Sequence, residues 1–212
     1  LDEFSNPRKA GIIAVDLDPN DYLVGAALTD GTHDVMLFSD GGKAVRFDEK
    51  DVRAMGRTAR GVRGMALEPS QSVIAMLVSE DDPQSDESKA RMSVLTATEN
   101  GYGKRTGIAE YTRHGRGTKG MIAIQQSSRN GKVVAATLVR ADDEIMLITD
   151  SGVLVRTRVA EIRELGRATQ GVTLIALDDG AKLIGLQRIV ENDANPDVAG
   201  GSGETEPEGD PQ

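Results

Sequence analysis

EIMLITDSGVLVRTRVAEIRELGRATQGVTLIALDDGAKLIGLQRI, residues 144–189, decides the fold. It holds four short apolar runs: EIMLIT, LVRTRV, VTLIAL and KLIGLQRI. Each has the length and β-branched content of a strand. The turn signals DSG and DDG separate the first run from the second and the third from the fourth. The longer AEIRELGRATQG joins the second to the third. No 3.6-residue apolar period persists for ten residues, so the expected fold is all-β.

The same register occurs three times. VMLFSDGGKAVRFDEKDVRAMGRTARGV, SVLTATENGYGKRTGIAEYTRHGRGTKGM and IMLITDSGVLVRTRVAEIRELGRATQGV align on Gly42, Gly101 and Gly152. Four residues later stand Arg46, Arg105 and Arg156. The pairs Gly56–Arg57, Gly115–Arg116 and Gly166–Arg167 follow, and then Gly61, Gly120 and Gly171. Four short strands in about 50 residues mark propeller blades. The opening stretch FSNPRKAGIIAVDLDPNDYLVGAAL matches the second half of a repeat, with Gly11 in the place of Gly61. The expected repeats are 1–33, 34–91, 92–142 and 143–190, about three and a half four-stranded blades in all. The chain then begins mid-blade and is expected to be a fragment whose missing part is N-terminal. All nine landmark glycines are expected at structural turns.

Composition narrows the setting. The 212 residues carry a net charge of −9, contain no cysteine and are 38% hydrophobic. Disulfides and thiolate metal sites are excluded, and a reducing cytoplasm is expected. No apolar run is long enough to cross a membrane as a helix, and no secretory leader opens the chain. Residues 191–212 hold seven acids and no Lys or Arg, so taking them away leaves a net of −2. This tail is expected to be disordered, and SEDDPQSDESKA (79–90) to be a polar loop.

The cations are concentrated elsewhere. The windows 53–63, 104–119 and 156–167 contain 13 of the 25 basic residues and only three acids, Glu110, Glu161 and Glu164. Equivalent loops of repeated blades should share one rim, which would then present Arg57, Arg60, Arg63, Lys104, Arg105, Arg113, Arg116, Lys119, Arg156, Arg158, Arg163 and Arg167. In LVRTRV, Arg156 and Arg158 share a strand face away from Val155 and Val159. Arginine offers phosphate a two-pronged donor, and an adjacent glycine lets backbone N–H groups come close to an anion. Such a band suits sequence-independent contact with a duplex backbone.

Other chemistries lack support. His33 and His114 are too isolated to indicate a metal site, and no catalytic residue is assigned. TENGYGKRT departs from a phosphate loop at Thr98 and Arg105. Six Phe and Tyr residues form no stacking series for single strands. A protein-interaction propeller remains as an alternative.

MGRTARGVRGM, TATENGYGKRT, DEIMLITDSGVLVRTRVAEIRELGRATQGV and AGIIAVDL resemble the C-terminal domain of the bacterial DNA gyrase A subunit, from Leu1 to about Ile189. The resemblance implies a six-bladed β-pinwheel, a propeller-like ring whose blades exchange strands. It also implies a basic perimeter that wraps duplex DNA in support of negative supercoiling. The parent enzyme implied is a bacterial, nucleoid-associated, ATP- and Mg-dependent topoisomerase whose partner protein is the gyrase B subunit. This chain would itself be non-catalytic and free of cofactors. The related domain of the topoisomerase IV A subunit is the alternative within that resemblance. The family's signature basic heptapeptide is absent, and HGRGTKGM (114–121) looks like a degenerate counterpart in a later blade. The tail has two readings, a competitor of DNA for the rim or a solubilising end.

Overall fold

The computed structural model describes residues 4–6, 8–80 and 92–189. The acidic tail and the polar loop beyond Glu80 lie outside the described residues. Eleven strands are formed: β1 (His33–Ser39), β2 (Lys43–Asp48), β3 (Val73–Glu80), β4 (Ser93–Thr98), β5 (Tyr102–Gly107), β6 (Met121–Ile122), β7 (Val133–Val139), β8 (Glu144–Thr149), β9 (Leu154–Arg158), β10 (Val172–Thr173) and β11 (Leu183–Ile189). Among the described residues there is no α-helix. Single 3-10 turns at Glu49–Asp51, Ile108–Glu110 and Val159–Glu161 follow the second strand of each repeat.

The strands assemble into three antiparallel sheets, ordered β3-β1-β2-β6, β10-β5-β4-β7 and β11-β8-β9. β6 belongs by sequence to the third repeat, yet it pairs with β2 of the second, with Met121 opposite Ala44 and Ile122 opposite Lys43. In the same way β10 of the last repeat pairs with β5, with Val172 opposite Gly103. Each completed blade thus takes three strands from its own repeat and one from the next. This is the strand exchange of a β-pinwheel. Two blades have four strands and the last has three, where the repeat pattern alone suggested four in each. The exchanged strand is also shorter than VTLIAL, because only Val172 and Thr173 pair. Beyond them, Leu174 and Ile175 donate to the Gly101 carbonyl at the neighbouring hairpin.

The sequence explains these placements locally. Gly42, Gly101 and Gly152 turn the hairpins with φ of +72°, +80° and +82°, a region open to glycine and costly for other residues. β8 alternates, burying Ile145, Leu147 and Thr149. β4 buries all six residues because a blade lies on each side of it. Val94 enters the core with Met36, Phe38 and Tyr111. Its neighbour Leu95 enters the other core, with Ile145, Leu147 and Leu183. The hydrophobic cores therefore lie between blades. Phe38 and Tyr111 meet edge to face at 5.9 Å across the first of them, a contact worth about 0.5–1.5 kcal/mol beyond its buried area.

Candidate nucleic-acid interface

The loops after β2, β5 and β9 carry most of the expected DNA-facing residues, with Lys104 and Arg105 on β5 and Arg156 and Arg158 on β9. They form a continuous hydrogen-bonded run along one edge. Thr118 accepts from Ala66 N–H at 2.9 Å and Gly64 accepts from Gly117 N–H at 2.6 Å. Arg105 and Arg163 are linked through backbone at 3.2 Å, and Gln125 N–H donates to Thr169 at 2.9 Å. Equivalent loops therefore do lie side by side.

Several cations on that edge are engaged by the protein itself. The arginine four residues past each of the first two hairpin glycines reaches into the loop of the following repeat. Arg46 is buried, donates to the Ile108 and Tyr111 carbonyls at 3.2 and 3.1 Å, and pairs with buried Asp34 at 2.6 Å. Arg105 donates to the carbonyl of Ile162, the equivalent of Tyr111, at 2.7 Å. Arg156, in the last blade, is half exposed and paired with Glu144.

The Gly–Arg arginines reach the other way. Arg57 donates to the Ile13 carbonyl at 2.7 Å, Arg116 to the Arg63 carbonyl at 3.0 Å and Arg167 to the Ile122 carbonyl at 3.0 Å. Each acceptor stands two residues after Gly11, Gly61 or Gly120, in the exchange segment of the preceding repeat. The recurrence of these arginines thus has a structural cause: they clamp successive blades.

Two expected rim residues need correction. Lys104 is fully buried. Its ammonium donates to the Gly166 and Arg167 carbonyls at 2.5 Å each. Burial pushes its pKa down to about 8. Arg105 retains only 13% side-chain exposure. Neither faces a duplex, because the loop of the next repeat covers both.

Arg53, Arg60, Arg63, Arg113, Lys119, Arg156, Arg158 and Arg163 remain exposed, while Arg57, Arg116 and Arg167 are half-buried. Arg53, Arg63 and Arg163 make no ion pair among the described residues. Arg60 pairs with Asp16 and Asp18, and Lys119 with Glu68 at 2.8 Å. Their side chains are 68% and 78% exposed, and such surface pairs are worth only about 0–1 kcal/mol, so phosphate can displace them. Arg113 pairs with Asp34 at 2.9 Å and with Asp48.

The glycines divide into two groups. Gly61, Gly120 and Gly171 have positive φ. A Cβ would stand 2.3 Å from the Ala44 oxygen at Gly120 and 2.6 Å from the Gly103 oxygen at Gly171. Strand exchange therefore requires glycine at both. Gly56, Gly115 and Gly166 each stand at the start of a turn, with Ala59 N–H donating to the Gly56 carbonyl at 3.0 Å and Thr169 N–H to that of Gly166 at 3.3 Å, but their φ is not positive, and a Cβ at Gly56 or Gly115 would meet nothing within 4 Å. They open turns as expected, but the first position of a turn does not itself demand glycine.

One residue that fixes two of these arginines, buried Asp34, was missed from sequence. Its signal was present: Glu144 holds the same register position, eight residues before the hairpin glycine, and each acid pairs with the arginine twelve residues on. His33 is not isolated, since its ring nitrogen and the carboxylates of Asp30 and Glu49 lie within 4.8 Å of one another. Those carboxylates already accept hydrogen bonds, Asp30 from Thr32 and Glu49 from His33 N–H. This loop-held set gives no independent sign of a metal.

Strand-exchanged four-stranded blades, clamped by arginines from both neighbours and edged with exposed cations, define a β-pinwheel with a basic edge. Residues 1–30, 33–80, 93–140 and 143–189 each match the model of the DNA gyrase C-terminal domain, a beta-propeller family, and the chain belongs to that family. It is 49% identical over 210 residues to the DNA gyrase A subunit of Pseudomonas aeruginosa, covering 99% of this chain and 21% of that protein. It is also 49% identical over 191 residues to the corresponding protein of Escherichia coli K12, covering 90% and 21%. The chain therefore spans about a fifth of the length of these curated relatives. Among solved structures, a DNA gyrase A C-terminal domain superposes with a TM-score of 0.74 at 28% identity, covering 86% of this chain and 59% of that one. The C-terminal domain of a DNA topoisomerase IV superposes with a TM-score of 0.79, covering 88% and 56%. At 22% identity it attests the fold alone.

Proposed function

We propose that this chain binds duplex DNA without sequence preference and bends it along the loop edge, as the C-terminal part of the gyrase A subunit. The observation that carries this reading is the continuous run of β2, β5 and β9 loops, whose exposed arginines recur along one edge. The open space at Gly56 and Gly115 supports it, because a phosphate can approach the backbone there. Membership of the gyrase family supports placing the chain in a bacterial, cytoplasmic topoisomerase whose partner protein is the gyrase B subunit. The ATP and Mg of that enzyme belong to its other parts. No helix among the described residues is long and apolar enough to cross a membrane.

A gel-shift titration against salt tests the proposal. Neutralising about six phosphates gives a log–log slope of about −5. Replacing Arg63, Arg158 and Arg163 together by Ala should make the slope shallower by about 3, near one per lost contact. A slope near zero, or binding indifferent to salt, would favour a protein partner and end the DNA reading.

A further inference from the structure

The last Gly–Arg turn differs from the others in what lies beneath it and in what sits upon it. It runs from Gly166 to Thr169 and is closed by Thr169 N–H on the Gly166 carbonyl at 3.3 Å. Its carbonyls are tied down from the protein side. The Thr106 hydroxyl donates to the Leu165 carbonyl at 2.8 Å, and the ammonium of buried Lys104 donates to the Gly166 and Arg167 carbonyls. In a trans peptide unit the C=O and the following N–H point opposite ways. Holding the Gly166 and Arg167 carbonyls inward therefore turns the N–H groups of Arg167 and Ala168 outward.

A carboxylate already meets the first of these. Arg167 N–H donates to Glu110 Oε2 at 3.1 Å, while Ala168 N–H makes no hydrogen bond among the described residues. A Cβ at Gly166 would stand 3.7 Å from that same carboxylate oxygen, where the spaces at Gly56 and Gly115 are empty. Glu110 is exposed and ends the 3-10 turn after β5, so burial does not force it into this place. Val45 and Val155 stand where Lys104 does, three residues past the hairpin glycine, so neither of the other repeats supplies a cation from that position. Burial lowers the Lys104 pKa to about 8, and the Glu110 charge partly opposes the fall. The surface carboxylate and the buried ammonium thus attract each other across the turn.

We propose that the turn formed by Gly166, Arg167 and Ala168 is a seat for one phosphate group, and that Glu110 is the internal anion a phosphodiester displaces to occupy it. Glu110 then loosens the hold of this edge on a duplex, a role that rests on the DNA reading above. The tethered carboxylate engages one outward N–H, whereas a phosphate has oxygens enough for both, in charge-assisted hydrogen bonds.

Two measurements on the full chain test the proposal, with Glu161→Ala as control. Glu161 holds the register position of Glu110, nine residues past the hairpin glycine, and is exposed without an ion pair among the described residues. In a gel-shift salt titration Glu110→Ala should bind duplex DNA several-fold more tightly than Glu161→Ala at low salt, with a log–log slope steeper by about one contact. In amide NMR spectra at constant ionic strength, inorganic phosphate should shift the Arg167 N–H of Glu110→Ala saturably, and that of wild type and Glu161→Ala far less. Glu110→Ser takes the place of Glu110→Ala should thermal unfolding show the latter to be destabilised. Equal DNA affinities for the two alanine variants overturn the proposal, since loss of any nearby negative charge would then suffice. An Arg167 N–H indifferent to phosphate once Glu110 is removed overturns it as well. A wild type that ignores DNA ends the duplex reading instead, and the phosphate titration still decides the seat.

Discussion

Arg167 and Arg163 lie four residues apart in one loop, and their environments assign them different work. Arg167 donates to the Ile122 carbonyl of the preceding repeat, whereas Arg163 is exposed and makes no ion pair among the described residues. Arg167→Gln should cost about 1–3 kcal/mol in urea unfolding, the range for losing a charge-assisted hydrogen bond. Arg163→Gln should leave stability within about 0.5 kcal/mol while weakening DNA binding several-fold at low salt. Equal effects of the two on both measurements would contradict this division. Lys104 gives a pH signature. Its folded pKa is near 8, against about 10.4 for a free lysine. Between those values the unfolded chain holds a proton that the folded chain has released, so stability rises with pH across that window. The stability of the wild type relative to Lys104→Met should therefore grow by about 1–2 kcal/mol between pH 8 and 9.5, as measured by urea unfolding. Sequence showed that these side chains are cationic and repeated. It could not separate clamps from rim contacts, because a phosphate oxygen and a backbone carbonyl attract the same guanidinium.

The exchange segments set the stability of the elements. At Gly171, φ is +83° and a Cβ would stand 2.6 Å from the Gly103 carbonyl oxygen. Gly171→Ala should cost about 1–3 kcal/mol through strain and loss of the β5–β10 pairing. Gly56→Ala meets open space without positive φ and should change stability by less than about 0.5 kcal/mol. Thermal unfolding of the two variants checks the contrast. The long strands were legible from sequence because alternation is local: Ile145, Leu147 and Thr149 point inward whatever lies beyond them. The destination of the third strand was not, because pairing with the previous repeat is a long-range choice that no local pattern in Val172–Thr173 encodes. The family resemblance supplied what periodicity left open.

At the scale of the whole molecule, a net charge of −9 coexists with an edge rich in arginine. Removing residues 191–212 takes away seven acids and leaves −2. DNA affinity should then rise several-fold at low salt, and the gain should fade above physiological salt, where the Debye length falls below about 8 Å. An unchanged affinity at low salt would leave the tail as a solubilising end. The spacing of glycines and apolar runs was enough, by itself, to determine an all-β chain of repeated four-strand units, since turn conformation and face alternation are fixed by neighbouring residues. Only the tertiary structure decided which arginines hold the blades together and why Lys104 is hidden. Those outcomes depend on which repeat lies against which, and carbonyls some 45–65 positions away from an arginine are brought to it by the stacking of blades alone.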